Sequence, residues 1–206
     1  MRSVKIGMNK MGNAWRHFCT ITYHKLLVMK ECFRLGLYRQ RILHDLSKYS
    51  WTEFRVGAKY YQGTRSPNNA EREATGCSSA WLHHKGRNRH HYEYWIDYAL
   101  DGESGLTGMK MPEKYVVEMF VDRIAACKVY KKDQYTERSA LEYYESGSGY
   151  EKLMHPDTQK LLETLLVMLA EQGEAETYSY IKENVLNKGV HEVVSKEDKG
   201  CFNKDS

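Results

Sequence analysis

The sequence contains few of the residues that interrupt a chain or cross-link it. Only three of its 206 residues are proline, and its five cysteines are scattered, odd in number and never spaced as CxxC. Few prolines and few β-branched runs favour helix over sheet. The cysteine pattern argues against a disulfide framework or a zinc knuckle, and it favours a reducing compartment.

Long apolar runs and long basic runs are missing as well. No stretch approaches the roughly 18 apolar residues that span a bilayer, and the N-terminus lacks the apolar core of a signal peptide. The longest basic cluster, "KGRNR" at 85–89, is too short for a nucleic-acid footprint. We therefore expect a cytoplasmic protein with no membrane partner and without nucleic acid as its main partner. The net charge of +4 suits a small anionic substrate.

The residues that are present predict one mostly helical domain over 1–188, followed by a polar, frayed tail over 189–206. A chain of this length can bury one substantial core. Apolar residues at helical spacing, together with capping residues, predict the elements. The predicted helices cover residues 13–35, 39–48, 50–61, 70–84 (interrupted near Gly76), 113–131, 136–146, 157–171 and 174–186. The last two helices would form core or a dimer interface, and the core interpretation is favoured.

A histidine and an aspartate are adjacent in the apolar-flanked segment "ILHDLSKYS", residues 42–50. His44 and Asp45 would lie about 100° apart on a helix, where they can chelate one ion. Imidazole with carboxylate suits Mn, Fe, Co, Ni or Zn. Lys48, one turn further on, is placed to contact an anion beside the metal. The alternative is a simple surface pair between Asp45 and Lys48.

Two further ligand candidates lie on apolar helix faces. Asp122 shares a stripe with Met119 and Ala126, and a carboxylate that faces a core must be paired or bound to metal. His24 shares a face of the first helix with Val28. It is either a hydrogen-bonded core histidine or a metal ligand.

The segment "WLHHKGRNRHHYEYW", residues 81–95, holds four histidines within nine residues. If it formed one helix, a single face would contain His84, Asn88, His91 and Trp95. Arginine and tryptophan interleave the histidines, as expected around an anionic ligand that carries a ring. The alternative is a solvated basic and aromatic helix face.

Taken in order, His24, His44-Asp45 and Asp122 resemble the H…HD…D signature of the HD-domain superfamily of metal-dependent phosphohydrolases. "HDLSK" is similar to the HD-x-x-K variant found in several of its branches. The extra histidines resemble the branches that hold a second metal. More closely still, "HDLSKYSWTEF", "YYQGTRSPN", "AWLHHKGRNRHHYEYW" and "VDRIAACKVY" are similar to DUF5662, an uncharacterised bacterial and phage family, over roughly residues 10–170.

The HD resemblance implies an all-α, compact helical bundle with metal between its helices. It implies that one ion is bound by His24, His44, Asp45 and Asp122. His84, His90 and His91 would serve a second ion or the substrate. The "HHExxDGxGYP" pattern of the branch that cleaves cyclic dinucleotides is absent, which argues against that substrate.

The expected function is hydrolysis of a small phosphoester or nucleotide by a metal-activated water. Lys48, Arg87 and Arg89 would neutralise the phosphate, and Glu53 or Glu93 would act as general acid or base. Asn88 and Trp95 complete the candidate substrate-binding residues. The alternatives are an HD-fold non-haem iron oxygenase and a non-catalytic protein that binds metal and a ligand. A homodimer is a further possibility.

Overall fold

The computed structural model describes residues 2–99, 105–147 and 153–187, with side chains from residue 12 onward. This part of the chain is mostly helical, with eight α-helices and one two-stranded sheet. The helices are α1 (Arg2–Arg34), α2 (Tyr38–Leu43), α3 (Trp51–Lys59), α4 (Pro67–Thr75), α5 (Ser79–Lys85), α6 (Glu113–Lys131), α7 (Ser139–Glu145) and α8 (Pro156–Tyr180). Strand β1 (Ile96–Tyr98) pairs antiparallel with β2 (Leu106–Gly108).

The core forms where α1, α6 and α8 pack together. α6 lies between the other two and contributes fully buried Phe120 and Ile124. From α8, four leucines are wholly buried: Leu162, Leu165, Leu166 and Leu169. The preference for a core role of the C-terminal helices is therefore confirmed. The predicted break between them is a kink at Gly173, whose φ of 85° favours glycine.

Helix starts and stops follow the local chemistry of the sequence. Gly36, with φ of 76°, follows the end of α1, as the predicted stop requires. Ser50 caps α3, because its side chain accepts the Glu53 backbone N–H. A 19-residue α6 spans the predicted 113–131.

One predicted helix differs from the structure, and one alternative left open by the sequence is decided. The helix expected over 39–48 is α2 followed by a 3₁₀ turn at Leu46–Tyr49, with a break between them. The segment 81–95 is not one helix, because α5 ends at Lys85 and a turn leads to a 3₁₀ turn at Tyr92–Trp95. The turn at "KGRN" is therefore present, and the single face that one continuous helix would give does not form. Periodicity locates helical residues but cannot reveal a break made by tertiary contacts.

The remaining sequence predictions concern a glycine-rich loop, the C-terminal tail, membrane spans and the cysteines. The strand β2 occupies part of the glycine-rich segment expected as a loop at 101–112, and the predicted tail 189–206 lies outside the described residues. The described residues contain no helix long and apolar enough to cross a bilayer. Cys19, Cys32, Cys77 and Cys127 are free thiols.

Replacing Gly57 with alanine is expected to destabilise the fold by about 1–3 kcal/mol, the usual cost of overpacking. An added Cβ would lie 2.1 Å from Nε2 of buried His17, where α3 crosses α1. Urea unfolding measures the loss, and Gly12→Ala, with open space around its Cβ, is the matched control. His17→Ala should relieve most of the cost of Gly57→Ala. Equal losses with and without His17 would contradict this clash.

Candidate metal centre

The chain breaks between α2 and the following 3₁₀ turn, and this break directs the side chains of His44 and Asp45, the HD pair, toward the interior. α2 ends at Leu43, and Asp45 has a left-handed backbone with φ of 55°, which Asp tolerates better than most residues. The Lys25 ammonium from α1 donates to the carbonyls of Ile42 and His44, at 3.0 and 2.6 Å. These bonds satisfy carbonyls left free at the end of α2. His44 and Asp45 are both 1% exposed as a result.

The first group of candidate ligands combines α1, the HD pair and α6. His24 Nε2 lies 2.9 Å from Asp122 Oδ1 and 3.6 Å from Asp45 Oδ2. His44 Nε2 lies 3.2 Å from each of the same two oxygens. Ligands about 2.1 Å from an ion lie roughly 3.0–3.4 Å apart in octahedral or tetrahedral geometry. The four donor atoms therefore have spacings close to those of a coordination shell.

The second group uses the other oxygen of Asp45. Asp45 Oδ1 lies 3.2 Å from His84 Nε2 and 3.4 Å from His90 Nε2. His91 joins this group, whose donor atoms all lie within 4.8 Å of one another. All seven predicted ligands thus fall into two groups that share Asp45. A carboxylate with one oxygen toward each group is suited to bridge two ions.

Several of these atoms are buried without a hydrogen-bond partner. They are Asp45 Oδ1 and the Nε2 atoms of His84, His90 and His91, whereas Asp45 Oδ2 faces the Lys48 ammonium. Buried polar atoms are normally hydrogen-bonded, and exceptions need an explanation. Because imidazole and carboxylate are ligands for divalent metals, the donor set fits a metal ion.

Two carboxylates behind the histidines fix which ring nitrogen faces the centre. Glu118 of α6 accepts from His44 Nδ1 at 3.0 Å and lies 3.2 Å from His90 Nδ1. Glu53 of α3 accepts from His84 Nδ1 at 2.8 Å. An ionised carboxylate only accepts, so each Nδ1 carries the proton and each Nε2 is directed at Asp45. Metal-binding histidines are commonly oriented in this way.

The two groups are tied together by short polar contacts. Asn88 donates to the His84 carbonyl and to Ser47 Oγ, both at 2.8 Å. Ser47 Oγ also lies 3.1 Å from His84 Nδ1. The loop after α5 is therefore fixed against the turn that follows Asp45. α5 ends before this contact, and His90 and His91 reach the site from the loop and not from the helix.

Electrostatics keep the acidic ligands ionised. Burial opposes ionisation, but the neighbouring His44 and Lys48 charges hold the pKa of Asp45 well below its usual value. Burial has the same opposing effect on Asp122, where hydrogen bonding to His24 keeps the pKa well below normal. Burial and the nearby histidine charges hold the pKa of His91 well below normal. For His44 and His84 burial favours the neutral ring, but the Asp45 carboxylate outweighs it and raises the pKa of both. Ionised carboxylates and neutral imidazole are the forms that bind metal, so a metal ion would have to displace protons from these two rings.

Lys48 lies at the edge of the centre, half-buried, with its ammonium paired to Asp45 Oδ2. Burial would lower its pKa, yet the Asp45 carboxylate more than offsets this and raises the pKa above its ordinary value. Lys48 therefore stays cationic and faces the same oxygen as the first ligand group.

The centre opens into a cleft of about 1380 Å³. Besides Lys48 and several candidate ligands, the cleft is lined by Trp81 and by Arg72, Lys85 and Arg123. The Arg72 guanidinium lies 5.5 Å from the centre of the Trp81 ring, and that ring contacts His84 and His91. The surroundings of the centre thus combine an aromatic ring with several cations.

The predicted substrate-binding and acid–base residues are distributed unevenly around this cleft. Glu53 and Glu93 are among its lining residues, and burial raises the pKa of Glu93. Arg87 is exposed and donates to the His83 carbonyl, whereas Arg89 donates to Tyr115. Trp95 packs on Tyr115 and donates to the Arg89 carbonyl. Arg87, Asn88, Arg89 and Trp95 are not among the described residues that line the cleft.

Glu118, Arg72, Lys85 and Arg123 were not assigned to the site from the sequence. Glu118 had a usable signal, because it precedes Asp122 by four residues and so shares its helix face within the apolar run "VVEMFVD". The three cations had no such signal. Arg72 and Arg123 come from different helices, and only the tertiary fold brings them to one cleft.

Comparison with known proteins gives a family and no function. Comparison with curated proteins and with solved structures found no match. One family model, described as a family of unknown function, matches residues 13–168. This match spans both ligand groups and all the carboxylates behind them. The chain therefore belongs to the DUF5662 family.

Proposed function

We propose that this protein is a metal-dependent phosphohydrolase that acts on a small phosphoester or nucleotide through a metal-activated water. The observation that carries the proposal is the position of Asp45 between two groups of candidate ligands, each of which has members that line a cationic cleft. The fold class proposed with this function is an HD-domain-like helical bundle. Its support is the spacing of His24, the HD pair and Asp122, and their convergence at one site.

Bound divalent ions would supply Lewis acidity and lower the pKa of a coordinated water, worth several kcal/mol of transition-state stabilisation. The protein's own residues would position the reactants. Glu118 and Glu53 hold the histidine rings through their Nδ1 atoms. Lys48 would bind a phosphoryl oxygen next to Asp45. Arg72 or Arg123 would contact negatively charged groups of the substrate further along the cleft. Glu93 is the cleft carboxyl suited to protonate a leaving group.

The test begins with elemental mass spectrometry of the purified protein, before and after loading with Mn, Co, Zn or Fe. Hydrolysis of p-nitrophenyl phosphate and bis(p-nitrophenyl) phosphate is then measured with each metal. We expect bound metal and metal-stimulated release of p-nitrophenol. Protein that binds no metal under any loading condition would overturn the proposal. Metal binding with no turnover of any phosphoester would favour the non-catalytic alternative.

A second function is favoured by one feature, the high share of histidine in the second ligand group. Histidine with carboxylate also suits non-haem iron that reacts with dioxygen. Iron as the metal retained on purification, with oxygen uptake and no phosphoester turnover, would support an oxygenase.

Lys48→Ala is expected to lower kcat/KM for the phosphoester about 10–100-fold, because a charge-assisted contact to the phosphoryl group is lost. Metal content should stay unchanged, since a cation is not a ligand. Lys59→Ala, at an exposed lysine of α3, is the matched control and should retain wild-type kinetics. Unchanged kinetics in Lys48→Ala would remove its proposed role, and loss of metal would show that it holds Asp45 in place.

A further inference from the structure

Helix α1 has two apolar faces, and the residues that the structure describes cover just one of them. The buried face contains Ile21, His24, Val28, Cys32 and Leu35. About 120° around the helix from this face runs a second row, the α1 stripe, made of Trp15, Phe18, Thr22, Leu26, Met29 and Phe33. At 100° per residue these six positions lie within about 40° of one line along the helix.

Among the described residues, four of the six members of the α1 stripe are exposed. Trp15 is 66% exposed, Leu26 55% and Phe33 54%, whereas Thr22 and Met29 are half-buried. A surface helix of a monomer normally presents polar residues on the side away from the core. A row of large exposed apolar side chains instead indicates an interaction site.

Residues after α1 extend the same surface. Phe33 packs against Tyr38 and Phe18 against Tyr49, with ring centres 5.8 and 6.0 Å apart. Lys25, beside Leu26, contacts the Ile42 carbonyl. The exposed apolar residues in this extension are Tyr38, Ile42, Leu43 and Leu46. With the α1 stripe they expose on the order of 800 Å² of mostly apolar side chain, taking 150–250 Å² for each large ring.

The spacing of the α1 stripe matches helix-to-helix packing. Its members follow one another by 3, 4, 4, 3 and 4 residues, the narrow pattern of a coiled-coil seam. In the sequence the same spacing continues toward the N-terminus through Met11, Met8 and Val4. A narrow seam suits another helix, whereas adsorption to a lipid surface uses a broader apolar face.

The charged residues around the α1 stripe are of one sign, and this determines how its binding should depend on salt. Between residues 12 and 59 the exposed charged residues are all basic: Arg16, Lys30, Arg34, Arg39, Arg55 and Lys59. The acidic residues of that range, Glu31, Asp45 and Glu53, are buried. No charged residue belongs to the α1 stripe itself, and Arg34 is neutralised by Glu31 and Glu174.

We propose that the α1 stripe is the interface of a homodimer, in which α1 of one copy packs against α1 of a second copy. A standard interface buries about 800 Å² on each partner, which equals the exposed apolar area here. Because the flanking charges of both copies are basic, the dimer should be more stable at high salt, which screens their repulsion. The proposal does not depend on the proposed function.

Light scattering after size exclusion tests the dimer, with full-length protein at about 50 mM and 500 mM NaCl. We expect a mass near twice the 24.1 kDa of one chain, with a larger dimer fraction at high salt. Leu26→Glu should yield the monomer with its helical circular dichroism unchanged, because Leu26 is already exposed in the monomer. Leu82→Glu, a leucine 67% exposed on α5, is the matched control and should remain dimeric.

Three outcomes would overturn the proposal. A monomer at both salt concentrations excludes the dimer. A dimer that survives both Leu26→Glu and Phe33→Glu uses another surface. A monomer that co-sediments at low salt with vesicles of phosphatidylcholine and phosphatidylserine, and not with phosphatidylcholine alone, assigns the stripe to an anionic membrane surface.

Discussion

Asp45→Asn is expected to remove metal from both ligand groups at once and to abolish hydrolysis. Asp45 supplies one oxygen to each group, so no other single substitution removes a ligand from both. The affinity of each site should fall more than about 100-fold, because loss of an outer hydrogen-bond partner alone costs 10–100-fold. Loss of several kcal/mol of Lewis-acid stabilisation predicts a fall in kcat/KM of about 1000-fold or more.

Metal stoichiometry and isothermal titration with Mn or Zn measure this effect. Asp122→Asn should weaken the first site and leave the second, whereas His84→Ala should do the reverse. Asp133→Asn, an exposed carboxylate, is the control and should bind metal as the wild type does. Circular dichroism must show helix retained in Asp45→Asn for the comparison to hold. If Asp45→Asn keeps full metal content at either site, Asp45 is not the shared ligand.

The clustering of the candidate ligands could be anticipated from the sequence because most of them had a local signal. His44 and Asp45 are adjacent, the four histidines between 83 and 91 are dense, and Asp122 interrupts an apolar helix face. Charged or imidazole groups on apolar faces must find partners, and this requirement can be read without a structure. The mostly helical class was likewise predictable from period and caps, and it is confirmed.

The way in which these ligands meet was not predictable. Periodicity treats 39–48 as one continuous helix and leaves open whether the helix that ends near 84 continues to 95, but the chain is broken in both segments, where a candidate ligand turns inward. The break at Asp45 depends on Lys25 from α1, 17 and 19 residues away from the carbonyls it contacts. The break after α5 depends on Asn88 meeting Ser47. Such contacts between distant residues leave no periodic trace in the sequence.

The role of Glu53 illustrates the same limit. Its backbone N–H donates to Ser50 Oγ at the start of α3, which is the local contact that its position three residues after a serine favours. The Glu53 side chain, however, is engaged by His83 and His84 at 2.7 and 2.8 Å. Its predicted role as general acid or base stays a prediction, and the contacts favour a positioning role.

Glu118→Gln is expected to weaken both metal sites together by about 10–100-fold, although Glu118 need not be a ligand itself. One oxygen, Oε1, faces Nδ1 of His44 in the first group and Nδ1 of His90 in the second. Glutamine keeps the volume but loses the charge, and its amide group donates as well as accepts. The rings of His44 and His90 then lose the acceptor that fixes their Nε2 atoms toward Asp45.

The affinities for Mn and Zn, measured by titration, test the role of Glu118, and metal-loaded kinetics add a second readout. A positioning role predicts that saturating metal restores most of kcat, since every candidate ligand is still present. Glu113→Gln, an exposed glutamate on the same helix, is the matched control and should change neither site. If the weakening is confined to one site, Glu118 supports only the histidine of that group. A loss of kcat that excess metal cannot restore would place Glu118 among the ligands, with His44 and His90.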